Sequence, residues 1–185
     1  MFQIFGSSGK RKVWRKKGMA LLKENVIPTV KYGGGGVMVW GCMGNNAVGK
    51  IHFIEGIMNA KMYLKILKDN LFESAKIVGL GDNFYFQQDN DPKHTAQIVQ
   101  NWLRDKVPHQ LKTPPQSPDL NPIENLWSFL HKIIRTFKIS NKNELKQHLE
   151  SQWYTISSKY VQHLIESMPR RLQLVIDNNG LFTKY

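Results

Sequence analysis

Residues 84–113 read FYFQQDNDPKHTAQIVQNWLRDKVPHQLKT. The opening Phe-Tyr-Phe-Gln-Gln is a short apolar and aromatic strand that ends at Asp89. Asn90-Asp91-Pro92 is a turn signal. From about Thr95 to Lys106 the spacing predicts a helix, and His109 to Thr113 predicts a second short strand. Strand, helix and strand in that order make a parallel crossover unit, which is the mark of an α/β domain. Upstream, residues 37–43 and 50–55 are apolar strands around a Gly-Asn-Asn turn, and together they read as a β-hairpin. A helix follows from Asn59, a plausible N-cap, with Leu64, Leu67, Leu71, Ala75 and Val78 at helical spacing. Downstream, the proline-rich segment 114–122 is a rigid loop. Ile123, Leu126, Trp127, Leu130, Ile133, Ile134 and Phe137 then form one apolar stripe of a strong amphipathic helix. Further helices are expected over about 142–156, 159–166 and from Pro169 to a stop at Asn178-Asn179-Gly180. The whole predicts a mixed sheet with helices on both faces, whose chemistry sits at the carboxyl ends of its parallel strands.

The chain has 185 residues, enough for one domain with its own core. No stretch is long and apolar enough for a membrane span, and the start does not read as a signal peptide. The single cysteine, Cys42, excludes a disulfide framework and points to a reducing compartment and a core position. Lysines and arginines number 26 against 14 acids, a net charge of +12. A domain this basic predicts a polyanion partner, nucleic acid first. The charge is uneven: residues 1–23 hold seven Lys or Arg and no acid. Lys10, Arg11, Lys12, Arg15, Lys16 and Lys17 are the densest run. That run reads either as a DNA-backbone contact or nuclear-import patch, or as a solvated strand edge protected by lysines.

Two carboxylates stand out by position. Asp89 ends a strand, and Glu124 lies in the first turn of the amphipathic helix. Such a pair can converge to hold a hard divalent cation through oxygen. Each also has a plain structural reading. Glu124 lies three residues after Asn121 and fits a capping box. Asp89 fits an Asx-turn into Asn90-Asp91-Pro92. His94 reads as an acid–base group, a phosphate contact or a turn residue, and Asp91 is expected to aim elsewhere.

Segments 37–43 (VMVWGCM), 86–95 (FQQDNDPKHT), 116–127 (QSPDLNPIENLW) and 167–172 (SMPRRL) together resemble the catalytic domain of Tc/mariner transposases, nearest the Tc branch. The motifs fall in the family's order and cover almost the whole chain. The resemblance implies an RNase H-like fold and a triad of two aspartates and a glutamate holding Mg2+ or Mn2+. It implies DNA cleavage at transposon ends and strand transfer, in the nucleus. Asp89 matches the second triad acid and Glu124 the third. The first acid lies just upstream of the position matched by Phe2. A single partial domain over residues 1–185 is therefore expected, lacking the amino-terminal part of the central strand. Its parts would be a basic excursion at 6–35 and carboxyl-terminal helices over 141–185. The resemblance casts Lys93 and His94 as phosphate neighbours. The basic run and the Arg170-Arg171 pair become nucleic-acid contacts. It also implies partners in DNA and in a second subunit, either a homodimer mate or a full-length transposase. Without the first acid, metal would be held weakly and the 185 residues alone are expected to be inactive. The alternative is a non-catalytic DNA-binding or transposase-interacting remnant.

Overall fold

The structure is a computed structural model that describes residues 2–3, 36–114, 117–180 and 183. The excursion 6–35, with its basic run, lies outside the described residues. The elements in chain order are β1 (Phe2–Gln3), β2 (Gly36–Gly44), β3 (Ala47–Ile54), α1 (Ala60–Ile77), β4 (Tyr85–Gln87), α2 (Gln97–Lys106) and β5 (His109–Leu111). A 3-10 turn (Pro118–Leu120) then leads into α3 (Pro122–Ile134), α4 (Lys142–Tyr154), α5 (Ser158–Glu166) and α6 (Met168–Asp177).

The predicted hairpin is present, and its strands run longer than the apolar runs alone indicated. β2 and β3 pair antiparallel from Met38 opposite Ile54 to Gly44 opposite Ala47. The turn is tighter than expected, with Asn45 at φ 50° taking the left-handed conformation that asparagine tolerates. A register shift between Gly41 and Met43 marks a bulge at Cys42. β1 adds an antiparallel strand beside β2, and β4 pairs in parallel with β5. The described strands thus form a three-stranded antiparallel sheet and a separate two-stranded parallel one, so both strand orientations expected of the fold are present.

Side-chain alternation along β2 divides the interior in two. Met38, Trp40 and Cys42 join one core, with Tyr63, Ile66, Leu67 and Leu71 of α1 and Val99 and Leu103 of α2. Val37, Val39 and Met43 join the other, with Leu126 and Leu130 of α3, Leu145, Leu149 and Trp153 of α4, and Val161 and Leu164 of α5. The hairpin therefore carries helices on both faces. Trp40 is buried, and Trp127 stacks on Trp153 at a centroid distance of 4.9 Å. Burial pushes the Cys42 thiol up to about 11, as befits an unreactive packing residue.

Helix ends follow the local chemistry. Asn59 caps α1 by accepting from the Met62 amide at 2.9 Å. Asn141 caps α4 from Glu144 N at 3.0 Å, and Glu144 returns the bond by accepting from Ser140 N at 2.8 Å. α6 ends as expected, with Gly180 N donating to Val175 O at 2.8 Å and both Asn179 and Gly180 at positive φ.

Candidate active site

β4 is shorter than its apolar run: it ends at Gln87 and leaves Asp89 two residues beyond the strand, in the connection to α2. The connection is pinned by side chains. Tyr63 of α1 donates to Gln88 Oε1 at 2.7 Å, and Gln88 Nε2 donates to His94 O at 3.1 Å. Thr113 Oγ1 donates to Gln88 O at 3.3 Å, and Asn90 Nδ2 to Thr113 O at 2.9 Å. Asp89 sits in this frame as the acceptor of a hydrogen bond from His94 Nδ1. That bond holds the Asp89 carboxyl below its usual range, against the opposing effect of its partial burial.

Glu124 enters from the other side. Pro122 occupies the first position of α3, where a missing N–H costs nothing. The capping-box reading does not hold at this helix. Asn121 makes no side-chain cap, and its backbone carbonyl accepts from Glu124 N at 3.1 Å. The Glu124 carboxylate is left without a hydrogen bond among the described residues. Its pKa is raised by partial desolvation first and by the charge of Asp89 second. The two carboxylates that the sequence singled out thus share one field. Gln87 Nε2 binds Leu120 O at 2.9 Å and ties the end of β4 to the turn before α3.

The neighbouring residues divide differently from expectation. Asp91 is engaged with Lys93 beside Asp89: its carboxylate accepts from Lys93 N at 2.9 Å and pairs with Lys93 Nζ at 2.6 Å, and its charge still acts on Asp89. Lys93 is accordingly neutralised locally. His94 is not an outward phosphate contact. Its ring stacks on Tyr63 at 3.9 Å, Nδ1 is committed to Asp89, and Nε2 is buried. The Asx-turn reading of Asp89 survives only as a long 3.4 Å contact from Asp91 N.

Arg171 also departs from expectation. It is 1% exposed, so it is no surface contact for nucleic acid, whereas Arg170 is exposed. Its Nη1 donates to Asp119 O at 2.9 Å and to Asn125 Oδ1 at 2.7 Å, and Nε donates to Ser167 Oγ at 2.8 Å. Asp119, itself buried, accepts at Oδ2 from Thr183 N at 3.1 Å and Thr183 Oγ1 at 3.0 Å. Sequence reasoning missed Tyr63, Gln88 and Asn125. Only Tyr63 left a trace, as the start of the buried spacing Tyr63, Leu67, Leu71.

Among the described residues no group of three or more His, Cys, Asp or Glu forms a metal cluster. The donor set still suits a hard cation. Asp89 and Glu124 come from separate elements, and the charge of Asp89 adds to desolvation in raising the proton affinity of Glu124. A divalent ion that takes oxygen ligands would relieve that repulsion.

An antiparallel hairpin sheet with helices on both faces, a parallel β4–β5 pair, an acid after β4 and another at the start of a packed helix match the architecture of an RNase H-like α/β domain. Residues 6–146 match the family described as DDE superfamily endonuclease. The chain is 43% identical over 184 residues to the transposable element Tcb1 transposase of Caenorhabditis briggsae, covering all of this chain and 67% of that protein. It is 43% identical over 188 residues to the Tc1 transposase of Caenorhabditis elegans, again over 67% of that protein. The chain belongs to the DDE endonuclease family of Tc/mariner transposases and corresponds to their catalytic domain. Among solved structures, the Mos1 transposase catalytic domain, a structure with Raltegravir and Mn, superposes with a TM-score of 0.73 at 18% identity, over 80% of this chain and 78% of that one. The Mos1 mariner paired-end complex with Mn gives 0.78 at 18% identity, over 95% of this chain and 52% of that one. At such identity these two matches establish the fold.

Proposed function

We propose that this domain carries the chemistry of metal-dependent DNA cleavage and strand transfer, with Asp89 and Glu124 as the second and third acids of the triad. The observation that supports this most is the bond from Gln87 Nε2 to Leu120 O at 2.9 Å, which brings the segment leading to Asp89 against the start of the Glu124 helix, at positions the family motifs match. Mg2+ or Mn2+ is the cofactor of this reading. When bound, such an ion would activate the attacking oxygen and stabilise the leaving oxygen of a phosphodiester. The protein's own part is to hold the acids. His94 and Gln88 fix the Asp89 segment, and the bond from His94 keeps Asp89 ionised. Glu124, whose pKa is raised, supplies a carboxylate with no competing hydrogen bond among the described residues. The substrates are transposon-end and target DNA, the compartment is the nucleus, and the partner is a second transposase subunit.

The polypeptide of residues 1–185 supplies Asp89 and Glu124 as the acids that the family motifs match, and it holds no Asp or Glu before Glu24. We expect it to bind Mn2+ weakly and not to nick supercoiled plasmid. The binding is read by thermal shift, since a ligand selective for the folded state raises Tm. Millimolar Mn2+ should raise Tm of the wild-type chain, and Asp89→Asn or Glu124→Gln should each remove that rise. A rise that survives both substitutions would place the cation elsewhere. The net charge of +12 supports a second reading, a DNA-binding remnant without chemistry. It predicts DNA binding with no Mn2+ shift at Asp89 and Glu124.

A further inference from the structure

The segment Ser167-Met-Pro-Arg-Arg-Leu is a strong motif that the chemistry above does not use. α6 folds it against its own polarity pattern. Arg171 is 1% exposed, whereas Leu172 is 49% and Ile176 68% exposed on the same helix. Burying a guanidinium while leaving two large apolar side chains in water is costly unless the charge is fully engaged. The engagement is specific. One guanidinium nitrogen reaches the Asp119 carbonyl and the Asn125 side chain, and these two residues bracket Glu124 in sequence. The third contact, Ser167 Oγ, is anchored in turn by donation to Leu164 O at 2.6 Å. Arginine suits this position because its planar fork can bind several acceptors at fixed angles. The strap continues to β4 through the bond from Gln87 Nε2 to Leu120 O at 2.9 Å. β4, which leads to Asp89, and the Glu124 helix are thereby joined by one chain of bonds.

We propose that Arg171 is a positioning residue for the Glu124 carboxylate, clamping the 117–125 segment between α6 and the end of β4. The inference rests on the reading of Asp89 and Glu124 as a metal-holding pair. It assigns the 167–171 motif the task of fixing how the third acid faces the second.

The test uses the 185-residue chain and Arg171→Lys, which keeps the charge and loses the fork. Hydrogen exchange is followed at the amides of Leu120, Asn121 and Glu124, which donate within this segment. The reference is Leu67 and Leu71, buried in α1. Loss of charge-assisted bonds of this kind should speed exchange of the three amides by about tenfold relative to the reference. Acceleration shared equally by both groups, or none at all, would reduce Arg171 to general stability and overturn the proposal. If Arg171→Lys does not fold, Asn125→Ala removes one acceptor of the clamp and is judged by the same ratio. A second readout is Mn2+ broadening of side-chain carboxyl signals. In the wild type Asp89 and Glu124 should broaden together. In the variant Glu124 should need about tenfold more Mn2+, on the scale of one lost charged hydrogen bond. Joint broadening in the variant would count against the proposal. If neither signal broadens in the wild type, the metal reading fails, and the exchange ratio alone decides the clamp.

Discussion

Asp89 and Glu124 are perturbed in opposite directions, and the difference has a consequence for stability. Asp89 is lowered by the His94 hydrogen bond, so it stabilises the fold above its unfolded pKa and that contribution is lost as pH falls through its folded value. Glu124 is raised by desolvation and by Asp89. Its ionised form therefore costs stability at pH values above its folded pKa, and the cost vanishes once it is protonated. Glu124→Gln should raise Tm at pH 7, by no more than a few degrees because water screens an exposed carboxylate. At about pH 3.5, below the usual glutamate range, the variant and wild type should melt together. Thermal melts at the two pH values decide the matter. A variant that melts lower at pH 7 would mean that Glu124 supports its helix start after all.

At the scale of elements, the hairpin and its two helical layers meet at a point where one atom matters. A Cβ at Gly49 of β3 would lie 2.6 Å from Ser74 Cβ of α1 and 2.7 Å from Cys42 Sγ. Ser74 is fully buried, and its Oγ accepts from Lys50 N at 3.0 Å. On the same residue the Gly49 carbonyl accepts from Trp153 Nε1 at 2.8 Å. Gly49→Ala must push α1 off the sheet, an overpacking cost of about 1–3 kcal/mol. Urea denaturation should show the loss as a lower midpoint with an unchanged slope. An unchanged midpoint would mean that the layers slide freely at this contact. These elements were largely legible in the sequence because their signals are local. Asn59, the apolar stripe of α3 and the Asn178-Asn179-Gly180 stop all act within a few residues of the structure they determine. The placement of Asp89 just after β4 and of Glu124 in the first turn of α3 was legible as well, because each follows a local signal. Arg171 was not. Its partners lie 52 and 46 residues away, so a Pro-Arg-Arg stretch beside a basic composition reads as surface until the fold brings α6 onto α3. His94 does lie in a turn, one of the roles its sequence allowed, but its inward stack was not legible because it depends on Tyr63 of α1, 31 residues earlier.

For the molecule as a whole the governing quantity is charge. Lysines and arginines number 26 against 14 acids, so the net +12 stands whatever ion pairs form. Lys50, Lys65, Lys93, Arg104 and Lys146 have acidic partners. On α1, Lys61, Lys68 and Lys76 stand exposed, and Lys132, Arg135 and Lys138 follow the outer side of α3 and the turn beyond it. Burial of Arg171 removes one cation from the surface set that the sequence assigned to DNA and leaves Arg170 of that pair, while the run at 10–17 holds six. Binding to duplex DNA of arbitrary sequence should therefore be governed by counterion release. If all six cations at Lys10, Arg11, Lys12, Arg15, Lys16 and Lys17 meet phosphate, they contribute a slope of about −5 in log affinity against log salt. That contribution alone lowers affinity by about 10³ between roughly 50 and 200 mM salt. Fluorescence anisotropy with a labelled duplex measures the slope directly. Replacing the six with Gln should flatten it by that amount, and Arg170→Gln should flatten it by up to about one. A slope that the six substitutions leave intact would move the DNA path to the exposed lysines of α1 or to those of α3, which cover opposite faces of the hairpin.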